Sequence, residues 1–343
     1  MADSKLTVLI ASYLEPEHVD KIRAEVPEVD VIYRPDLLGT PRYIADHTTP
    51  VNRTAEQEAE WQSLLAKADI LFDFDHSHRE DICELAPNVK WVQATSAGIG
   101  QFVKRMGYAD KTDWIFTTAS GVHSRPLSEF CLMAMIMFSK NYLVMQAAKE
   151  KKHWERYGNS ELAGKTVGIV GLGRIGRDLA KVCNFFDMTV VGSRRDTSKT
   201  VEGVDKLYTP DTIIEMMPQL DYLVLATPHT PETDGLISAN HIRALKQGAV
   251  IINIARGVVI DQKAMTEALQ DGHLLGAALD VFAVEPLPQD DPLWEMPNVI
   301  ISPHSASTAD SENGKITQLF ITNLHHFLKG EPLLNVLDTE LLY

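Results

Sequence analysis

The sequence predicts an α/β protein made of two doubly wound parallel-sheet domains. Three observations carry this. Short apolar runs at 6–11, 29–33, 70–74 and 89–94 alternate with helical segments such as 16–24, and βαβ alternation implies a parallel sheet with helices on both faces. The pattern repeats downstream, with apolar runs at 222–226, 249–254, 276–282 and 299–302 separated by the helical periods of 238–245 and 262–270. At 343 residues and 45% hydrophobic composition the chain can bury more than one core, and its length favours two domains.

Composition narrows the function classes. The formal net charge of -15, spread along the chain, argues against nonspecific binding to nucleic acid or an anionic membrane, since both need a positive surface. No uncharged apolar run reaches the roughly 18 residues of a membrane span. The opening MADSKLTVLIASY lacks the basic flank and small-residue cleavage site of a secretory leader, so the expected setting is the cytoplasm. Cys83, Cys131 and Cys183 are odd in number, far apart and in apolar surroundings, which suits buried, inert thiols and not a disulfide framework or zinc cluster. His76 with His78, and His325 with His326, have no accompanying ligand cluster; no metal is expected, and the first pair reads as a solvated loop.

Taken in order, residues 37–53 are rich in Pro, Thr and Asp and interrupt the first alternation as a surface excursion or a loop over a site. The strand at 89–94 leads into Thr95-Ser96-Ala97-Gly98-Ile99-Gly100, where a ligand-binding turn and an ordinary glycine turn both remain open. A strand at 116–120 precedes a helix over 127–138, begun near Pro126 or Ser128. Its Met133, Met135 and Met137, with Met145 beyond, are expected to pack a core in preference to a subunit interface. Near the end, 310–328 carries Ile316, Leu319, Phe320, Leu324 and Phe327 close to a helical stripe, suited to packing back on the first domain.

The sharpest signal lies in 165–195. The turn Gly171-Leu172-Gly173-Arg174-Ile175-Gly176 fits G-x-G-x-x-G and stands between a strand at 166–170 and a helix at 175–185. There the glycines permit a tight turn, close approach of backbone to pyrophosphate, and close helix-on-strand packing, so a dinucleotide cofactor is expected. The second strand ends Val190-Val191-Gly192-Ser193-Arg194-Arg195. No carboxylate stands where one would bond a ribose 2′-OH, and Asp196 comes two positions late. A hydroxyl and two guanidiniums suit a 2′-phosphate, so NADP is expected over NAD, with Ser193, Arg194 and Arg195 as its contacts.

Each downstream strand ends in a polar cluster, and Arg256, Glu285 and His304 come from three of these ends. Histidine suits proton transfer near neutral pH, a carboxylate beside it holds the ring and favours its charged form, and Arg clamps a carboxylate in two-point geometry. Singly, each has a bland explanation as surface salt bridge, solvated turn residue or loop histidine. Together, at converging strand ends beside a dinucleotide turn, they predict a hydride-transfer centre. HExxH, CxxC, GxSxG and the phosphate-loop lysine are absent from the sequence, which leaves metal and nucleophilic chemistry without support.

Besides GLGRIG, the chain contains INIARGVVID at 252–261, GAALDVFAVEPLP at 276–288 and PLWEMPNVIISPHSAS at 292–307. Through these ordered motifs it resembles the D-isomer-specific 2-hydroxyacid dehydrogenase family, over residues 96 to about 309. The resemblance implies a flavodoxin-like substrate domain at 1–119, a Rossmann dinucleotide-binding domain at 120–305, and a C-terminal segment, 306–343, that returns to the substrate domain. It implies a small 2-oxo or D-2-hydroxy acid as substrate, Arg256 orienting its carboxylate, and Glu285 with His304 as the acid–base pair. Ala97 and Gly98 would offer backbone N–H groups to that carboxylate, Asp280 would lie near the nicotinamide, and Thr227, Pro228, Thr233, Ile254 and Ala255 would surround the cofactor. A homodimer through the cofactor domain is implied too, with 127–154 as the interface arm. The departure is Arg194, where NAD-using members carry Asp. Two alternatives stay open: a dinucleotide-sensing binding protein of corepressor type, which keeps the same three site residues, and phosphite oxidation on the same scaffold. Formate-oxidising members carry Gln where Glu285 stands.

Overall fold

The computed structural model describes residues 5–343; Met1 to Ser4, the head of the opening segment, lie outside the described residues. The chain forms two compact units: one runs up to His123 and takes in Thr308–Tyr343, and the other is Ser124–Ser307.

In the first unit, β1 (Thr7–Ile10), β2 (Asp30–Ile32), β3 (Ile70–Phe72), β4 (Trp91–Gln93) and β5 (Ile115–Thr117) pair in parallel in the order β2-β1-β3-β4-β5. Their near-continuous apolar runs follow from having both faces covered. Val8, Ile10, Phe72 and Trp91 face one layer, while Leu9, Leu71 and Val92 face the other. The helix Glu312–Lys329 lays Ile316, Phe320, Ile321 and Leu324 on the first layer, with the Phe320 ring edge-on to Phe72 at 5.1 Å.

On the opposite layer sits the helix Ala55–Leu65, not anticipated above because only Trp61 and Leu65 of its eleven residues are buried. A capping box starts it: Thr54 accepts from the Gln57 N–H while the Gln57 side chain accepts from the Thr54 N–H. The excursion at 37–53 is organised by Asp46, which is 2% exposed. Burial alone would raise its carboxyl, yet bonds from the Arg42 side chain, Thr49 Oγ1 and the backbone N–H groups of Arg42 and Thr48 hold it well below the usual carboxylate range.

The second unit has seven parallel strands: β6 (Thr166–Val170), β7 (Thr189–Ser193), β8 (Lys206–Tyr208), β9 (Tyr222–Leu225), β10 (Ala249–Asn253), β11 (Leu274–Leu279) and β12 (Val299–Ile301). Their order is β12-β11-β10-β9-β6-β7-β8, so the direction of winding reverses between β6 and β9. That reversal is a topological switch point, and it falls beside the glycine turn. The helices Ser124–Ser139 and Arg174–Phe185 cover one layer with Cys131, Ala134, Met135, Phe138, Leu179 and Cys183. Of the methionines expected in the core, Met135 is fully buried, but Met133 is 41% and Met145 38% exposed. The inward stripe runs through 131, 134, 135 and 138, and the other methionines fall outside it. Burial pushes the Cys183 thiol up to about 12 and Cys131 well up, whereas Cys83 is only half-buried. Among the described residues, no single helix is long and apolar enough to cross a membrane.

Candidate active site

The three glycines after β6 do three different things. Gly171 holds φ at 104°, and a Cβ there would lie 2.7 Å from Ala226 O, so only glycine fits the turn. At Gly176 a Cβ would lie 2.2 Å from Gly171 O, which is the close contact between helix and strand. Gly173 is exposed and a Cβ there meets nothing within 4 Å. Its smallness serves no contact inside the chain and leaves room for a ligand against the backbone. Gly173 stands at the N-cap of the helix Arg174–Phe185 and makes no side-chain bond to it, and a helix N-terminus of this kind favours an anion. Thr227 Oγ1, past the end of β9, is buried without a hydrogen-bond partner, and its Cγ2 lies 2.9 Å from the Cβ position of Gly171. These features fit a bound dinucleotide pyrophosphate. Thr233 closes the neighbouring loop, donating to Pro228 O at 2.7 Å and accepting from the Thr230 N–H at 2.8 Å.

β7 ends on the buried Ser193; Arg194 is half-buried and Arg195 exposed. The Asp196 carboxylate is taken up in its own turn, accepting from Ser198 N at 2.9 Å and Ser198 Oγ at 2.5 Å, bonds that hold it below its ordinary value. The acid nearest the expected ribose-binding place is therefore already engaged.

Arg256, Glu285 and His304 follow β10, β11 and β12, three adjacent strands, and the structure brings them together. Asn253, 1% exposed, shapes the first turn: its Oδ1 accepts from Ala255 N at 3.0 Å and its Nδ2 donates to Arg256 O at 3.2 Å. The Arg256 side chain donates to Ala255 O at 2.7 Å. Burial pulls its guanidinium below the ordinary value, opposed by the charges of Glu285 and Asp280. Gly257 lets this turn press against the next, since a Cβ there would fall within 1.8 Å of the Phe282 carbonyl carbon.

Glu285 Oε1 accepts from the Phe282 N–H at 3.0 Å, and its Oε2 stands 2.9 Å from His304 Nδ1. Burial would raise the carboxyl, but the bonds from His304 and Phe282, together with the charge of Arg256, hold it below its ordinary value. His304 holds φ at 55°, in the left-handed region, and a buried carboxylate keeps it there. Asp280 Oδ1 accepts from Ser302 Oγ at 2.6 Å, Ser305 N at 2.8 Å and Ala306 N at 2.9 Å, bracketing the histidine on both sides, while its carbonyl accepts from His304 N at 2.9 Å. Gln262 braces the adjoining loop by accepting from Ala283 N at 2.8 Å. Asn253 and Gln262, and the clamping part played by Asp280, went unread in the sequence because a single buried polar residue leaves no period or spacing.

Ala97 and Gly98 belong to the first unit, after β4, where the Gly98 N–H points to Ser96 Oγ at 3.3 Å. The solvated-loop reading of His76 and His78 is corrected: their side chains are 22% and 14% exposed. His78 is pinned by Glu58 at 2.7 Å and Asp81 at 3.2 Å. No group of His, Cys, Asp or Glu suited to a metal occurs among the described residues.

A seven-stranded parallel sheet with this order, and a glycine turn at its switch point, defines a dinucleotide-binding domain of the doubly wound type. The chain belongs to the D-isomer-specific 2-hydroxyacid dehydrogenase family, whose NAD-binding domain matches residues 132–306. Among its relatives, the glyoxylate reductase of Thermofilum pendens is 34% identical over 73% of this chain and 75% of that protein. The D-3-phosphoglycerate dehydrogenase of Methanocaldococcus jannaschii is 31% identical over 94% of this chain, which spans only 58% of that relative's length. The structure of an NADPH-dependent glyoxylate/hydroxypyruvate reductase from Sinorhizobium meliloti, in complex with NADP and sulfate, superposes with a TM-score of 0.80 at 26% identity, covering 99% of this chain and 100% of that one.

Proposed function

We propose that the chain catalyses reduction of a small 2-oxo acid to the D-2-hydroxy acid with NADPH, and the reverse oxidation. The 2.9 Å contact of His304 Nδ1 with Glu285 Oε2, beside the largely buried Arg256, carries this reading. The bound dinucleotide supplies the hydride that C2 of the oxo acid receives. Arg256 clamps the substrate carboxylate in two-point geometry, with the N–H groups of Ala97 and Gly98 as further donors. His304, its Nδ1–H directed at ionised Glu285, presents Nε2–H to the carbonyl oxygen, polarises it and gives up that proton as the alkoxide forms. The first unit serves as substrate domain and Ser124–Ser307 as cofactor domain. Residues 171–176 with Thr227, Pro228, Thr233, Ile254, Ala255 and Asp280 hold the cofactor, and Ser193, Arg194 and Arg195 take a 2′-phosphate.

The test is turnover of glyoxylate and hydroxypyruvate by wild type and His304→Ala, with NADPH and with NADH. We expect the variant to lose about a hundred- to ten-thousand-fold in kcat; wild-type turnover in it removes His304 from the chemistry. We expect NADPH to be preferred and Arg194→Asp to move that preference toward NADH; equal use of both by the wild type rules out the 2′-phosphate reading. Dinucleotide binding with no turnover points instead to a sensing protein of corepressor type, and phosphite belongs in the same panel.

We propose a cytoplasmic homodimer joined through 127–154, and apolar side chains on and around the helix Tyr142–Glu150 support the interface. No residue of that helix is buried, and Trp154 beyond it is 94% exposed.

A further inference from the structure

A cavity in the first unit is lined by Ser12 and Tyr13 just past β1, by His76 and Ser77 past β3, and by Asp46 and His47 of the excursion. β1 and β3 are neighbours, and the order β2-β1-β3-β4-β5 changes winding direction between them. The cavity therefore occupies this sheet's own switch point, the place where open α/β sheets take ligands.

Most polar groups there are committed. Asp46 holds Arg42 and Thr49, Ser12 Oγ and His47 Nδ1 are 2.9 Å apart, and Ser77 Oγ donates to Asp75. The His76 ring is different: Nδ1 is buried without a hydrogen-bond partner, and Nε2 stands 3.8 Å from Asp73 Oδ2, likewise buried and unpartnered. Asp73 also holds φ at 69°, in the left-handed region. Buried polar groups without partners are costly, and a hydroxyl, both donor and acceptor, satisfies an imidazole nitrogen in either tautomer.

Size and charge narrow the ligand. About 20 Å³ is open to a water-sized group, enough for roughly one such group. None of the described residues lining the cavity is Lys or Arg, while Asp46 and Asp75 are acids, so a phosphate or second carboxylate is disfavoured. β4 is the strand next to β3, at roughly 5 Å spacing, and the Ala97–Gly98 turn leaves the same carboxyl edge of the sheet. A 2-oxo acid with its carboxylate on that turn has the carbon beyond its carbonyl within about one to two strand spacings of the cavity.

We infer that the β1/β3 cavity binds a single hydroxyl on C3 of the substrate, with His76 as its polar contact. This rests on the 2-oxo acid reading above. His76 then acts in specificity and touches no reacting atom. The experiment compares kcat/KM for glyoxylate, which has no C3, with hydroxypyruvate and phosphohydroxypyruvate, in wild type, His76→Leu and His76→Gln. We expect wild type to favour hydroxypyruvate over both others, and the hydroxypyruvate-to-glyoxylate ratio to fall about tenfold in His76→Leu, the worth of one hydrogen bond, with partial recovery in His76→Gln. An unchanged ratio in both variants, or efficient use of the phosphorylated acid, overturns the inference while leaving the 2-oxo acid reading in place. Absence of turnover with any oxo acid in wild type overturns both.

Discussion

Gly173 and Gly176 are indistinguishable as letters in the motif and opposite in their surroundings. A methyl at Gly176 runs into the backbone carbonyl of Gly171, whereas one at Gly173 meets open space. Gly176→Ala should therefore destabilise the fold by about 1–3 kcal/mol, the usual cost of overpacking. Gly173→Ala should melt within about 0.5 kcal/mol of wild type, as exposed substitutions do, yet weaken dinucleotide binding by roughly tenfold or more, the cost of about 1.4 kcal/mol of lost approach. Thermal melts beside a dinucleotide titration check both; reversed behaviour of the two variants would mean that the turn does not carry the pyrophosphate. At this scale the grouping of Arg256, Glu285 and His304 was readable because side chains with chemistry stand at the ends of three successive strands. The residues that set their geometry were not. Asp280 appears in sequence as one more acid at a strand end, and only its three accepted bonds reveal that it fixes the strained backbone of His304.

Among elements, apolar periodicity revealed those that bury a run or stripe of several apolar residues and missed those that bury only one or two. The helix Ala55–Leu65 reads as polar except for Trp61 and Leu65, although Thr54 and Gln57 had announced its start. β8, Lys206–Tyr208 at the sheet edge, buries only Tyr208 and lies in no apolar run, unlike the equally short edge strands β2 and β12. Conversely, the apolar run of Ser124–Ser139 looked like core throughout, yet Met133 and Ile136 are 41% and 37% exposed. With Val144 58% and Met145 38% exposed on the following helix, apolar side chains lie open at this surface. If a second copy covers it, light scattering on wild type gives twice the chain mass, and Val144→Asp combined with Met145→Asp gives the chain mass with glyoxylate turnover still measurable. A monomeric wild type excludes the dimer.

For the molecule as a whole, two parallel-sheet units could be read from alternation alone, but strand order could not, since parallel strands joined by helices carry the same pattern whichever neighbour they choose. The two orders matter because each creates one switch point, beside Gly171 in one unit and beside His76 in the other. The first unit is also built from both ends of the chain: Lys21 donates to Gln318 across 297 positions, and Phe320 packs against Phe72 and Trp91. During synthesis, Ser124–Ser307 is contiguous and can complete itself as it emerges, while the apolar layer of Val8, Ile10, Phe72 and Trp91 stays only partly covered, by Val19 and Ile22 of the helix Pro16–Glu25, until Glu312–Lys329 has been made. At ordinary translation rates that wait lasts roughly tens of seconds, long enough for a ribosome-bound chain to meet chaperones, or other nascent chains, before its own last helix.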